Sequence, residues 1–345
     1  MLARLKLSGS AHDIGFGLGE FGRDAVHAKL RPLPLWQWLA SQANTEKAQR
    51  MQVLVRQHFP RYWQELEGLA AGLQLPLAEV FLWNCRGDFP GLPAVDGCTT
   101  VYGRTARGTL IAHNEDGLPP LRGDCALVEV RPDEGVAFTS FAYPGSIPGH
   151  TFAVNAFGVV ATVNNLRPTD IPTGVPRQIL GRASLDARSI DEAIAAVSFL
   201  PRAGAFHHTF GQAGSARVVS VEASATATAV VEIERPGGHA NHIVHAALAG
   251  VGQRITDSSD ARQRQVEVRL AAHQDELSPT QALDILRDTA VPDLPIYRCA
   301  ADDPDDENTL ASAVFILTPT GVEWSVHTGA AQETPAASGV VSVSA

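Results

Sequence analysis

The chain has 345 residues, 45% of them hydrophobic and 19% charged, with a formal net charge of −10. That length allows one large domain or two ordinary ones, and the composition excludes wholesale disorder. The acidic balance, with no concentrated basic cluster, argues against a nucleic-acid partner, because phosphate binding needs such a cluster.

The opening Met1–Leu7 is too short and too interrupted by charge to read as a signal peptide. No run approaches the roughly 18 consecutive apolar residues of a membrane span. A cytoplasmic protein without a membrane partner is the expectation. Four scattered cysteines, Cys85, Cys98, Cys125 and Cys299, do not make a disulfide framework or a CxxC pair. As thiols they raise the question of which one reacts.

Taken in order, the chain first alternates briefly and then reaches Gly17, Gly19 and Gly22, which formally satisfy GxGxxG. A dinucleotide site would need a buried strand ending at the first glycine. Ile14, Leu18 and Phe21, spaced by four and three, instead predict a closely packed helix. From Leu35 to Trp83 the pattern is helical, with Pro34 suited to a helix start. Asn84 to Pro93, with two glycines and two prolines, reads as an extended, accessible linker leading to Gly97–Cys98.

From Cys98 the period changes to two. Thr100–Gly103 and Thr109–Asn114 predict a hairpin, Ala126–Arg131 and Val136–Tyr143 further strands, and Phe152–Asn155 with Val159–Asn164 a second hairpin. Arg182–Leu185 and Ser189–Phe199 read as helical. Strands are expected at Arg217–Glu222, Ala227–Glu234 and Ile243–His245, then helices over Ser259–Ala272 and from Ser278 to Arg287. Ala313–Thr318 and Val322–Val326 predict a last hairpin. This order suggests an α+β unit of layered sheets with helices outside.

Cys98 carries the chemistry. Its thiol can attack the carbonyl of Gly97, which has no side chain to block the approach and tolerates strained backbone. The resulting thioester hydrolyses, making Cys98 a new N-terminus. An α-amine of pKa about 7.7–8.0 then sits beside a thiol of about 8.5, so one residue supplies base and nucleophile. Against this stands an inert buried cysteine.

Asp96-Gly97-Cys98-Thr99-Thr100 followed by His113-Asn114-Glu115-Asp116 resembles the acyl-coenzyme A:isopenicillin N acyltransferase family of N-terminal nucleophile hydrolases. Pro144-Gly145-Ser146, Val154 to Val159, Ser258 to Arg262 and the opening Gly9 to Gly15 are similar to it too. The resemblance implies a four-layer αββα sandwich, autocatalytic maturation, and amide or thioester acyl chemistry on Cys98. It implies a helix-rich chain 1–97 and a catalytic chain 98–345 that remain associated after the cut as one compact domain. Residue by residue, Asp116 matches the aspartate that holds the new α-amine, Asn241 the asparagine that donates to the oxyanion, and Arg298 an arginine near the substrate. The substrate class implied is a small N-acyl compound, with no cofactor and no metal.

Other readings compete. Glu115 hints at a cationic substrate group, or is a solvated turn residue. His239, His242 and His245 are spaced by three rather than the i, i+4 of helical zinc motifs. No GxSxG elbow supports a serine hydrolase. A non-enzymatic binding protein on the same fold and an unprocessed metal-dependent hydrolase are the alternatives.

Overall fold

The computed structural model of the protein describes residues 2–91, 97–273, 275–330 and 334–343. Val95 and Asp96 of the expected cleavage motif, and Leu92 and Pro93 of the expected linker, lie outside the described residues.

The N-terminal segment starts with strand β1 (Ala3–Gly9) and continues through helices α1 (Ala11–Ala25), α2 (Pro34–Ser41), α3 (Glu46–His58), α4 (Pro60–Leu73) and α5 (Leu77–Asn84). Local chemistry sets these limits. Ser10 and Asp13 form a capping box before α1, Thr45 caps α3, and Pro34 and Pro60 occupy first-turn positions where a missing N–H costs nothing. The glycines of the formal GxGxxG lie inside α1, not at a strand-to-helix turn.

The remainder supplies β2 (Cys98–Thr105), β3 (Gly108–Gly117), β4 (Ala126–Pro132), β5 (Phe138–Ala142), β6 (Phe152–Asn155) and β7 (Val159–Asn165). Then come α6 (Arg177–Ser184), α7 (Ile190–Val197), β8 (Phe206–Gln212), β9 (Val218–Ala223), β10 (Thr228–Glu232) and β11 (Gly237–His239). Helices α8 (Asp257–Leu270) and α9 (Pro279–Leu286) precede β12 (Asn308–Thr318), β13 (Gly321–His327) and β14 (Ala337–Ser342).

Among the described residues the strands form two sheets. One has eight strands in the order β1-β4-β5-β6-β7-β8-β9-β10; the other has six, β11-β2-β3-β12-β13-β14. Strands β2 and β3 of the smaller sheet pack against β7 and β8 of the larger. Helices α1 and α4 cover the outer side of the larger sheet, α8 and α9 that of the smaller, which makes four layers, αββα. On the smaller sheet, Val101, Leu110 and Ala112 face α8 and α9 through Val266 and Ile285, while Tyr102 and Ile111 face the sandwich interior. That is the alternation a sheet buried on both sides requires. No helix among the described residues is long and apolar enough to cross a membrane.

Two expectations change. Asn84–Phe89 is a run of buried or half-buried turns, not an accessible linker. Asp88 fastens it by accepting from the backbone N–H of Arg177 (3.1 Å) and Gly204 (2.8 Å), a tie between residues too distant in sequence to foresee. Ile243–His245 is irregular rather than a strand, because the Val244 and His245 N–H groups donate to the Glu222 carboxylate instead of to a ladder. The segment Phe206–Gln212, for which no element was expected, is a central strand, and His207 within it pairs with Asn164 and Ser220 in the interior.

Candidate active site

Strand register builds the site. In the β2–β3 hairpin, Cys98 stands opposite Glu115 and Gly97 next to Asp116, whose N–H donates to Gly97 O at 3.0 Å. On the other side of β2, the antiparallel pairing of Thr100 with His239 carries on past the end of β11 and brings Asn241 level with Cys98. Asn241 Oδ1 accepts from the Cys98 N–H at 2.9 Å. The Gly97–Cys98 bond is therefore held at both its oxygen and its nitrogen. Gly97 fits closely: a Cβ there would lie 2.4 Å from Glu307 Oε2 and 3.0 Å from Arg298 Nη1, so those side-chain ends would have to shift.

Helix α8 supplies what the sheet cannot. Thr256 caps it, and residues 258, 259 and 262 share the face turned to the end of β2. Ser259 Oγ accepts from Asn241 N at 2.9 Å. Arg262 donates to Asn241 Oδ1 (2.7 Å), Cys98 O (2.5 Å) and Thr99 Oγ1 (3.0 Å). Burial pulls the Arg262 pKa down, and Asp116 opposes that. Burial pushes the Asp116 carboxyl up, and Arg262 and Arg298 draw it back in part. Asp116 Oδ1 accepts from Thr309 Oγ1 at 2.7 Å, following the Thr309–Asp116 pairing of β12 with β3.

All four expected site residues are buried and close to the Gly97–Cys98 bond, and one of them, Asn241, presents the opposite end of its amide from the one the resemblance implies. Asn241 turns its acceptor end to Cys98, and its Nδ2 donates to Asn165 O at 3.1 Å, so the donor expected to face an oxyanion is engaged elsewhere. Arg298 is buried, its guanidinium enclosed by Asp303, Asp305 and Glu307. Burial lowers its pKa, but the surrounding carboxylates outweigh that and raise it.

Strand alternation sends Cys98, His113 and Glu115 into the space between the sheets, while Thr99 and Asp116 face the helices. Glu115 is a buried strand residue rather than a solvated turn. Its Oε2 lies 3.8 Å from Cys98 Sγ and 3.1 Å from His113 Nε2, and its Oε1 accepts from the Tyr143 hydroxyl at 2.9 Å. Burial holds the His113 pKa down to about 3. Among the described residues, Cys98, His113 and Glu115 bring a sulfur, an imidazole nitrogen and a carboxylate oxygen within 4.8 Å of one another. His239 and His245 instead share Glu222, with His245 also on Ser220, while His242 pairs with Ser259. Arg262, His113 and Glu307 carried no assigned role in the sequence. Arg262 had a signal, the motif Ser258–Arg262, but what it touches depends on tertiary packing.

Residues 104–331, well over half of the chain, match the family described as acyl-coenzyme A:6-aminopenicillanic acid acyl-transferase. The chain belongs to this family. The match takes in Glu115, Asp116, Asn241, Arg262 and Arg298 and begins just downstream of Cys98. Among curated relatives, the acyl-coenzyme A:6-aminopenicillanic-acid-acyltransferase 40 kDa form of Emericella nidulans is 29% identical over 178 residues, covering 50% of this chain and 47% of that protein. The β-alanyl-dopamine/carcinine hydrolase of Drosophila melanogaster is 24% identical over 209 residues, 54% of each chain. The chain thus spans about half the length of the curated relatives it matches. Among solved structures, a mutant of the conjugated bile acid hydrolase from Clostridium perfringens aligns over 71% of this acyltransferase-family chain and 92% of its own, with a TM-score of 0.44 and 8% identity.

Proposed function

We propose that this chain is a self-processing acyl-transfer enzyme, an amidohydrolase or acyltransferase whose nucleophile is Cys98. The observation that carries the reading is the pinning of the Gly97–Cys98 bond between the Asp116 N–H and Asn241 Oδ1. In the first step Sγ attacks the Gly97 carbonyl carbon, and negative charge gathers on an oxygen that already has a backbone donor. The C–N bond breaks, the Cys98 nitrogen takes up the thiol proton, and water hydrolyses the thioester. The α-amine so formed stays on Asn241 Oδ1, which Arg262 and Ser259 hold in place, and Asp116 lies beside it at the end of β3.

In turnover the same thiol attacks an acyl carbonyl, and the α-amine carries the proton to the leaving group. A narrow recess beside Cys98, lined by Asn84, Arg86, His150, Asn165, Gln178 and Phe206, marks the side from which an acyl group would reach the thiol, and these side chains have to move apart to admit one. The relatives' names include an acyltransferase and a hydrolase of β-alanyl compounds, which supports a small N-acyl amide as substrate. The two chains, 1–97 and 98–345, remain together because β1 pairs with β4 from Ala3 to Gly9 and α1 packs against the same sheet.

Intact mass under denaturing conditions tests the reading, with Cys98→Ala as control. Two fragments, 1–97 and 98–345, fused into one chain in the variant, are expected. A single uncut chain in both would overturn it.

A further inference from the structure

Hydrogen-bond accounting around His113 leaves a place for a cation. Asn164 Nδ2 donates to His239 O at 3.1 Å, which fixes the amide and turns Oδ1 toward Thr100. The Thr100 hydroxyl lies 2.8 Å from that oxygen and has one hydrogen, so it donates there. His113 Nδ1, 2.8 Å from Thr100 Oγ1, is therefore a donor. Its Nε2 then presents a lone pair to Glu115 Oε2 at 3.1 Å, where two acceptors cannot face each other bare. A proton or a metal ion must lie between them. Cys98 Sγ is 3.8 Å from the same oxygen, and Tyr143 holds the other carboxylate oxygen in place.

We propose that Cys98, His113 and Glu115 form a binding site for a divalent transition-metal ion of the Zn2+ class, seated on the nucleophile itself. The donor set suits it: one sulfur, one imidazole nitrogen and one carboxylate oxygen, with Glu115 Oε2 3.8 Å from the sulfur and 3.1 Å from the nitrogen, separations that ligands about 2.0–2.3 Å from a common ion show. Thr100 and Tyr143 orient the ligands, as outer partners do in metal sites. Charge closes as well. A thiolate and a carboxylate neutralise a divalent ion, so the filled site is uncharged in a buried place. Binding displaces the proton shared by His113 and Glu115 and the thiol proton, two protons for each ion. No spacing signal marks this site, because the ligands come from facing positions of two strands and not from one helix. That a bound ion would block the chemistry rests on the function proposed above; the site itself does not.

Calorimetric titration of the full chain with Zn2+, in two neutral buffers of different ionisation heat, tests the site. One ion per chain with release of about two protons is expected. Co2+ in place of Zn2+ should give a thiolate charge-transfer band in the near ultraviolet, lost in Cys98→Ser and kept in Cys299→Ser. His113→Gln and Glu115→Gln should each weaken uptake at least tenfold. Because buried variants can fail to fold, the Co2+ band of the wild-type chain stands as an independent readout. No ion taken up by the wild type, or a cobalt spectrum without a thiolate band, overturns the proposal. So does uptake unchanged in all three ligand variants. If the wild type binds the ion but never cuts itself, the self-processing reading fails and the site stands; if it cuts itself and binds nothing, the reverse holds.

Discussion

The helical layers on the two sides of the sandwich do different work. Between α1 and α4 the contact is backbone against backbone: Gly68 lies under His12 O and Gly72 under Phe16 O, where a Cβ would sit 2.0 and 2.2 Å from those oxygens. That interface presents little chemistry and much rigidity. On the other side, α8 turns Ser259, Arg262 and Gln263, all buried, into the end of the smaller sheet. One layer is fitted by removing side chains; the other by projecting polar ones. The difference locates the chemistry in a protein where both layers look like ordinary amphipathic helices.

Substitutions on the two sides should therefore fail in different ways. The largest effect is expected at Arg298. Arg298→Gln leaves Asp303 and Glu307 facing each other without their cation, and breaking a buried ion pair costs about 3–5 kcal/mol. Denaturant midpoints should fall accordingly; an unchanged midpoint would show that the cage adds nothing to the fold.

Arg262→Lys comes next and separates chemistry from stability. Lysine keeps the charge but cannot reach Asn241 Oδ1, Cys98 O and Thr99 Oγ1 together. Losing about 3 kcal/mol of charge-assisted hydrogen bonding slows self-cleavage about 100-fold, read by mass over time, with the circular dichroism spectrum preserved. Gly68→Ala should do the opposite. It overpacks the α1–α4 contact and lowers stability by about 1–3 kcal/mol, and per folded molecule the cut should proceed at the wild-type rate. Equal slowing in both variants would erase the contrast between the layers.

The smallest effect lies at Asp88, in the turns that join the N-terminal helices to the site. Burial pushes its carboxyl up to about 6, against the pull of Arg177. From about pH 4 to 6 the folded chain keeps a proton there that the unfolded chain has lost, so stability falls as pH rises through that window, by at most about 1.4 kcal/mol per unit. Denaturation curves at several pH values should show this slope in the wild type and its loss in Asp88→Asn.

Much of the architecture was legible from the residues. Period-two runs marked the β2–β3, β6–β7 and β12–β13 hairpins, and Ser278 with Gln281 marked the start of α9. Phe206–Gln212 escaped notice because paired histidines break a period-two apolar run, and the partners of His207, Asn164 and Ser220, meet it only in the folded interior. The turns after Asn84 looked open because glycine and proline reveal a break in regular structure but not what covers it.

By itself the sequence determined the hairpins, the helix starts and Cys98 as the residue to watch, because those depend on local periodicity and short patterns, and the family motifs added the four layers with Asp116, Asn241 and Arg298 by resemblance. Only the tertiary structure decided what each of them faces. Register set Asn241 against the Cys98 nitrogen, α8 brought Arg262 to the same point, and strand alternation turned the thiol toward His113 and Glu115 and away from Asp116. The first two choices come from pairings that bring Asn241 and Arg262 to Cys98 from more than a hundred residues away, and the third from the exact register of a hairpin whose existence, but not register, the local pattern reveals.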